Sequence, residues 1–377
     1  MAEQAAKRVR TGSASGLTIA THNGHFHADE ALAVHMLRHH VPAYAAARLV
    51  RTRDPAKLAE SHTVVDVGGE YDADRRRFDH HQRGFTTTFP GRPTKLSSAG
   101  LVYLHFGRGI VERHVQQHQQ EQQQQQEQQP EQQPKEADTN SADVDLLYTK
   151  LYANFIEALD AHDNGIDPYD PAELAAAKEG AGIAKRYADG GFTLGAVVGR
   201  LNLNWNDPAD PDQIAEDARF VQASARIGEE FDRELHYLVR AWLPARSLVR
   251  AAFAARRTYD DAGRVLVFRD QACPWKDHLY AEEEAAETAA GGSKVLYVLY
   301  PDKEGRWRVQ CVPAAKDSFV SRKPLPEAWR GHRDSDLDAL LAGAVETGAV
   351  FVHASGFIGG HRTFEGALQM AQKALEL

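Results

Sequence analysis

Two short apolar runs, each followed at once by polar side chains, constrain the fold of this chain most strongly. Residues 17–21 are β-branched or small and uncharged, and a loop from His22 to Glu30 follows them before a predicted helix begins. Residues 63–67 form a second run, in which Asp66 stands among valines. Strand, polar loop and helix is the unit that places ligand-binding groups at the carboxyl ends of parallel strands. The pattern predicts an α/β fold with a parallel sheet.

A third polar segment is the run Asp79-His80-His81. Consecutive side chains of an extended segment point to opposite faces, so the two histidines cannot both serve one patch of core. A solvated polar turn is the plain alternative, because acids and histidines mostly lie at the surface. The polar residues behind the other two strands make a shared site the better interpretation.

Histidines and carboxylates of separate segments are therefore predicted to converge on one metal site. The predicted set is His22, His27, Asp29, Asp66, the run Asp79-His80-His81, and Asp160 or Asp163. Imidazoles and carboxylates without a usable cysteine suit Mn²⁺ or Mg²⁺. Two ions bridged by one carboxylate would activate a water and hold a phosphoryl oxygen, and Asp66 is the predicted bridge.

Each predicted ligand also has a structural alternative. His22 could cap the following helix, Asp29 could favour the first turn of that helix, and Asp160 could pair with a lysine. The spacing of His25 fits a ligand less well than that of its neighbours, so His25 is left out of the site. The sequence does not choose between Asp160 and Asp163, which lie near the end of a predicted helix.

Composition shifts divide the chain into predicted segments. A parallel-sheet domain is joined by a long amphipathic helix, which ends at Pro244, to a smaller α+β domain with predicted strands at 265–268, 294–300, 307–312 and 349–353. A run of almost pure Gln and Glu cannot bury enough apolar surface to offset its ordering entropy, so it is predicted to be an exposed insertion, disordered or loosely helical. The predicted boundaries are a disordered N-terminus 1–16, a catalytic domain 17–212 with a disordered insertion 116–137, a connector helix 213–245 and a C-terminal domain 246–377.

Charge and composition narrow the classes of function. The formal charge of -9 argues against attraction to nucleic acid over the whole surface, so phosphates would be held locally by metal or clustered arginines. No apolar run approaches the length needed to cross a bilayer, so no membrane partner is expected. Two cysteines suit a reducing compartment. The N-terminus lacks the apolar core of a secretory signal, and Lys7 to Arg10 resembles a weak nuclear localisation signal.

Several long motifs resemble the melanocyte-proliferating-gene-one exonuclease family, within the DHH phosphoesterase superfamily. The resemblance covers the chain from about Leu17 to its end, apart from the Gln-rich insertion. The motifs that carry it are His22-Asn-Gly-x-Phe-His-Ala-Asp-Glu30, Phe78-Asp-His-His-Gln-Arg-Gly-Phe85, Lys95-Leu-Ser-Ser-Ala-Gly-Leu-Val-Tyr103, Ala272-Cys-Pro-Trp-Lys276, Trp307-Arg-Val-Gln-Cys-Val-Pro313 and Phe351-Val-His-Ala-Ser-Gly-Phe-Ile-Gly-Gly-His-Arg362.

This resemblance implies a DHH-type N-terminal domain and a 3′–5′ exonuclease of single-stranded RNA that depends on divalent metal. It implies two ions, Mn²⁺ before Mg²⁺, and a place in the nucleus or the mitochondrion. His80 would bind metal, Asp79 would orient a neighbour and His81 would contact the scissile phosphate. His27 stands where the superfamily usually has its first acid, which is expected to alter metal preference.

The resemblance also assigns a substrate-binding motif to the C-terminal domain. Gly359, Gly360, His361 and Arg362 resemble the Gly-Gly-His phosphate motif of the superfamily. Glycines let backbone N–H groups approach an anion, and arginine can bind a phosphate through two parallel hydrogen bonds. A tight turn between a strand and a helix is the structural alternative for the two glycines.

Two other functions remain open on the sequence alone. One is a phosphatase or pyrophosphatase of small nucleotides, for which the site would be the same. The other is a metal-binding regulatory protein without turnover, which would use the Gln-rich segment for association. The cytoplasm is a further location and a homodimer is one expected assembly, but secretion is not expected.

Overall fold

The computed structural model of the chain describes residues 16–128, 141–181, 190–290 and 293–377. The predicted disordered N-terminus, 1–16, lies outside these ranges except for residue 16, and so do residues 129–137 of the predicted insertion. The described residues form two compact units, the first ending at Val239 and the second beginning at Arg240. None of the described helices combines the length and the apolar character needed to cross a membrane.

The first unit contains a five-stranded sheet in which four neighbouring strands are parallel. Its strands are β1 (Thr18–Thr21), β2 (Arg48–Arg51), β3 (Thr63–Val65), β4 (Tyr71–Asp72) and β5 (Arg77–Phe78). Their order is β2-β1-β3-β5-β4, and only the edge pair β4 and β5 is antiparallel. The predicted mixed α/β fold with parallel strands is thereby confirmed, and β3 is the central strand.

Helices cover this sheet and place the loops between them. They are α1 (Ala28–His40), α2 (Pro55–Glu60), α3 (Ser98–Gln128), α4 (Ser141–Leu151), α5 (Glu157–Asp163), α6 (Pro171–Ala181), α7 (Leu194–Gly199) and α8 (Gln213–Tyr237). A π-helical turn, Tyr152–Ile156, joins α4 to α5. Helix α1 is buried along most of its length and packs against both α3 and α8. Burial of these faces stabilises the helices more than their intrinsic propensity does.

Of the two alternatives for the insertion, disordered or loosely helical, residues 116–128 take the helical one, since they continue helix α3. The buried part of α3 extends to Val115 and supplies the nucleus of the helix. Glutamine and glutamate are good helix formers, and each residue added to an existing helix gains one backbone hydrogen bond. The helix therefore extends into a segment that contributes almost nothing to a core.

The second unit is built on a mixed five-stranded sheet. Its strands are β6 (Val265–Val267), β7 (Tyr297–Pro301), β8 (Trp307–Cys311), β9 (Ala349–Val352) and β10 (Ile358–His361), in the order β6-β7-β8-β10-β9. Its helices are α9 (Leu243–Ala255), α10 (Lys276–Ala290), α11 (Asp334–Leu341) and α12 (Phe364–Glu376). The predicted hairpin at 302–305 is confirmed, since β7 and β8 pair antiparallel across it.

The predicted connector helix, 213–245, differs in the structure. Helix α8 ends at Tyr237, a π-helical turn spans Leu238–Trp242, and α9 begins at Leu243. Pro244 does not end the helix. It lies in the first turn of α9, directly after the π-helical turn, and the backbone before it is already helical.

Candidate metal centre

Three neighbouring parallel strands of the first unit end in polar side chains. His22 follows β1, Asp66 follows the central strand β3, and Asp79 follows β5. Asp66 adopts a left-handed backbone conformation with φ of 59°, which is unfavourable for a residue with a side chain. These residues line a cavity of about 630 Å³. The predicted convergence at the carboxyl edge of the sheet is therefore present.

The imidazole of His22 is buried and faces two carboxylates. Its Nδ1 donates to the carbonyl oxygen of Asn23, at 3.3 Å, so its Nε2 has no proton of its own in the neutral ring. That Nε2 lies 3.1 Å from Glu30 Oε1 and 3.4 Å from Asp66 Oδ2. A bare nitrogen lone pair facing two carboxylates is repulsive, so the site requires a proton or a metal cation between them.

His80 repeats this arrangement on the other side of Asp66. The amide nitrogen of Asn164 donates to two carbonyl oxygens, which leaves its Oδ1 to accept the Nδ1 proton of His80, at 3.2 Å. The Nε2 of His80 then faces Asp66 Oδ1 at 3.4 Å and Asp163 Oδ2 at 3.0 Å. It is buried and forms no hydrogen bond to a described residue. This is the tautomer and orientation of a metal-binding histidine.

The pKa shifts describe a pocket with an excess of negative charge. Burial opposes the charged imidazole of His22, but Asp66 and Glu30 outweigh it and raise the pKa to about 10. Burial likewise opposes protonation of His80, yet Asp163 and Asp66 raise its pKa to about 10. Burial raises the pKa of Asp29 well above its usual value, and the carboxylates of Asp163 and Asp66 add to the shift. Protons here occupy the places that cations would take.

Asp66 links two groups of possible ligands, because its two oxygens point to different histidines. One group, with ligand atoms within 4.8 Å of one another, is His22, His27, Glu30 and Asp66. The other group that contains Asp66 is Asp66, His80 and His81. A further group, which shares His80 but not Asp66, is Asp29, His80 and Asp163. Burial raises the pKa of Asp66, but the stronger effect of His22 and His80 lowers it, so this carboxylate is charged. These clusters can hold metal ions on both sides of one carboxylate.

His81 differs from its neighbour in exposure and partner. Its side chain is 62% exposed and lines the cavity, while its Nδ1 lies 2.7 Å from Asp79 Oδ1. Asp79 is itself fixed by the backbone N–H groups of Gly69, at 2.6 Å, and His81, at 3.1 Å. The ion pair with Asp79 raises the pKa of His81 against the effect of burial. The geometry therefore presents an oriented imidazole on the open side of the site.

The two candidate aspartates of α5 have different surroundings. Asp160 accepts hydrogen bonds from the Ser97 backbone and hydroxyl, at 3.0 and 2.7 Å, and from the Tyr152 hydroxyl at 2.8 Å. It lies outside the ligand groups, whereas Asp163 faces His80 and lines the cavity. Asp29 also supports α3, since it accepts the backbone N–H groups of Ser98 and Ala99. Favourable charge at a helix N-terminus explains both interactions.

Sequence reasoning missed Glu30, which is fully buried beside His22. Glu30 stands among alanines and leucines in the sequence of α1, which indicates a buried position. A buried carboxylate requires a partner, and this could have marked Glu30 as a site residue. Glu30 also accepts the backbone N–H of His27, at 2.9 Å, which fixes the start of α1. His25 lines the cavity as well, although it belongs to none of the ligand groups.

The two glycines of the predicted substrate motif lie in a strand of the second unit. Gly359 and Gly360 lie inside strand β10 between β8 and β9, not in a tight turn. A Cβ at Gly359 would stand 3.0 Å from Leu325 Cδ1, and one at Gly360 would stand 2.7 Å from the guanidinium of Arg308, so both positions are closely packed. His361 is fully buried, with Nδ1 accepting the Thr363 N–H and Nε2 bonded to the Glu346 carbonyl. Arg362 is exposed, and its substrate role stays a prediction.

Comparison with known proteins places the chain in a family. A family model labelled MYG1_exonuc and described as "Uncharacterised protein family (UPF0160)" matches residues 18–375. The chain is 46% identical to "MYG1 exonuclease" of Homo sapiens, over 98% of this chain and 88% of the relative. It is 37% identical to a "MYG1 protein" of Saccharomyces cerevisiae, over 98% of each. The chain belongs to the MYG1 exonuclease family.

Membership of the MYG1 family confirms the resemblance drawn from the sequence motifs. The chain is also 41% identical to a "MYG1 protein" of Dictyostelium discoideum, over 96% of this chain and 97% of the relative. No solved structure gives a significant match. The site of this MYG1 chain must therefore be interpreted from its own geometry.

Proposed function

We propose that this protein is a divalent-metal-dependent exonuclease that hydrolyses the phosphodiester bonds of single-stranded RNA from the 3′ end. One observation carries the proposal. Two buried imidazoles, His22 and His80, turn their Nε2 atoms toward opposite oxygens of Asp66 at the carboxyl edge of three parallel strands. Such an arrangement serves a cation pair, and paired cations are typical of enzymes that cleave phosphate esters.

The residues present fit two hard or borderline cations, with Mn²⁺ the better match than Mg²⁺ because of the imidazoles. His22, His27 and Asp66 would hold one ion, and His80, Asp163, Asp29 and Asp66 would hold the other. When bound, the ions supply charge for a phosphoryl oxygen and lower the pKa of a water. The buried Nε2 of His80, which lacks a hydrogen bond to described residues, supports this assignment. Asp160 is not assigned a ligand role, because its oxygens serve Ser97 and Tyr152.

His81 and Asp79 supply the acid–base chemistry of the proposal. Asp79 holds the Nδ1 side of the ring, so the Nε2 side is free to meet substrate in the cavity. Because the pKa of His81 is raised, the ring carries a proton over a wider pH range. We assign His81 to hydrogen bonding of the scissile phosphate and to protonation of the departing ribose oxygen.

The choice of substrate and polarity rests on the family. Mammalian relatives are named exonucleases, which supports a nuclease, while RNA and the 3′–5′ direction come from the motif resemblance. A DHH-type domain and a place in the nucleus or the mitochondrion are part of the same proposal. Arg362, exposed after β10, is the one member of its motif with a side chain open to a ligand.

The proposal is tested with purified protein, Mn²⁺ or Mg²⁺, and a 5′-labelled single-stranded RNA. We expect a ladder of products shortened stepwise from the 3′ end, and no ladder with chelator or with Asp66→Asn or His80→Ala. Single-stranded DNA, a dinucleotide and pyrophosphate are run beside it. Asp145→Asn is the control, since Asp145 is an exposed residue of α4 paired with Arg108.

Each alternative has its own result in this assay. If pyrophosphate is hydrolysed and RNA is not, the protein is a phosphatase of small substrates and the nuclease proposal is wrong. Metal binding by calorimetry without turnover of any substrate would indicate a regulatory metal-binding protein. A ladder from the 5′ end would overturn the proposed direction and leave the site unchanged.

A further inference from the structure

We infer that Arg53 forms a phosphate-binding subsite in the cavity of the candidate metal centre. This inference rests on the proposed function, because it names the residue that binds a phosphate of the same substrate. Arg53 lies two residues beyond the end of β2, the strand beside β1, so it lies at the same carboxyl edge as His22. Its side chain lines the cavity together with the metal-site residues.

The charge of the cavity requires such a residue. Four carboxylates line it, namely Asp29, Asp66, Asp79 and Asp163. Among the described residues that line this cavity, Arg53 is the one arginine or lysine. A nucleic acid carries one negative charge per phosphate, and Arg53 places a permanent positive charge in a cavity where the other cationic groups are histidines. A guanidinium can bind a phosphate with two parallel hydrogen bonds.

Two other arginines of the sheet, Arg51 and Arg77, are engaged elsewhere. Arg51 is buried and is bonded to Glu216, at 2.7 Å, and to the carbonyl oxygens of His22 and Gly24. Arg77 donates to the carbonyl oxygens of Ser61 and His62, which precede β3 at its amino end. These guanidinium groups support the fold, and Arg77 lies at the edge of the sheet away from the cavity.

Arg53 itself is exposed and its backbone is fixed on both sides. The N–H of Thr52 donates to the Thr21 carbonyl at 2.7 Å, and the N–H of Asp54 donates to the Thr52 hydroxyl at 3.1 Å. Within the described residues, the guanidinium of Arg53 forms no hydrogen bond and no ion pair. A cation that is anchored by its backbone but has a free side chain is preorganised to accept an anionic ligand.

The experiment compares Arg53→Ala, Arg53→Lys and Arg48→Ala. Arg48 is the matched control, because it is an exposed arginine at the opposite end of the same strand. Binding of labelled single-stranded RNA is followed by fluorescence anisotropy at several salt concentrations, with Ca²⁺ as the divalent ion. Hydrolysis with Mn²⁺ gives KM and kcat, and calorimetry gives Mn²⁺ affinity.

We expect Arg53→Ala to weaken RNA binding roughly tenfold, as the loss of a charged hydrogen bond implies. The slope of log K against log salt should fall by about 0.7, the value for one phosphate contact on a single strand. KM should rise more than kcat falls, Mn²⁺ affinity should stay unchanged, and lysine should restore part of the binding. Arg48→Ala should match the wild type in all four measurements.

Two failures are distinguishable. If the wild type binds RNA but does not cleave it, the proposed function fails, while the anisotropy comparison still decides the role of Arg53. Equal RNA affinity and salt slope for Arg53→Ala and the wild type overturn the subsite, whatever the activity. An equal loss in Arg48→Ala, or no RNA binding by the wild type, also overturns it.

Discussion

At the scale of residues, the candidate site depends on which nitrogen of each imidazole is free. His22 and His80 both use Nδ1 on an oxygen acceptor and keep Nε2 for the centre. For His80, the acceptor is Asn164, and the amide of Asn164 is in turn held by the carbonyl oxygens of Lys95 and Asp160. A histidine that binds metal is commonly oriented by such an outer partner.

Asn164→Ala is expected to lower Mn²⁺ affinity by about 10- to 100-fold, because His80 loses the partner that fixes its tautomer. Isothermal titration calorimetry with Mn²⁺ measures this effect. Asn154→Ala is the control, since Asn154 is exposed and donates its side-chain hydrogen bond to Glu234 of α8, which belongs to none of the ligand groups. An unchanged Mn²⁺ affinity in Asn164→Ala, with the same Tm, would show that Asn164 does not position His80.

At the scale of elements, the first unit depends on the close approach of α1 and α8. A Cβ at Gly228 of α8 would lie 2.0 Å from Nδ1 of His35, a buried residue of α1. His35 cannot move away easily, because its Nε2 lies 3.2 Å from Asp232 Oδ1, which also lies 2.7 Å from His40 Nε2. Glycine therefore sets the distance between the two helices.

We expect Gly228→Ala to lower the free energy of unfolding by about 1–3 kcal/mol, although alanine is the better helix former. Gly109→Ala in α3 is the matched control, because its Cβ would meet only the Arg113 side chain at an ordinary 3.6 Å. That change should stabilise the protein by up to about 1 kcal/mol. Urea denaturation followed by circular dichroism measures both. Equal stability of the two variants would contradict the packing argument.

The elements also show how far the sequence alone could predict the structure. The apolar runs before His22 and Asp66 identify β1 and β3, because short uncharged runs rich in β-branched residues are typical of buried strands. Strand β10 could not be found in this way, since Gly359 and Gly360 have low strand propensity and are held there by their neighbours in the sheet. The local pattern could indicate that Glu30 is buried, but its partner and the choice between Asp160 and Asp163 depend on tertiary contacts.

At the scale of the whole molecule, the charge of the chain limits how nucleic acid can be held. With a formal charge of -9, the chain gains little from general attraction to phosphates. Binding must then depend on the metal centre and on a few cations such as Arg53. The carboxylates that line the cavity make the dependence on divalent ions stronger, because they repel an RNA strand until cations neutralise them.

Binding of single-stranded RNA is therefore expected to depend weakly on salt and strongly on divalent metal. With two or three phosphates held by protein cations, the slope of log K against log salt should be about -2. The slope is measured by anisotropy titrations with Ca²⁺ at about 50 to 300 mM KCl, a range in which screening is strong. Chelation of Ca²⁺ should abolish most of the binding. A slope steeper than about -5, or binding that survives the chelator, would mean that an extended basic surface holds the RNA instead of the cavity.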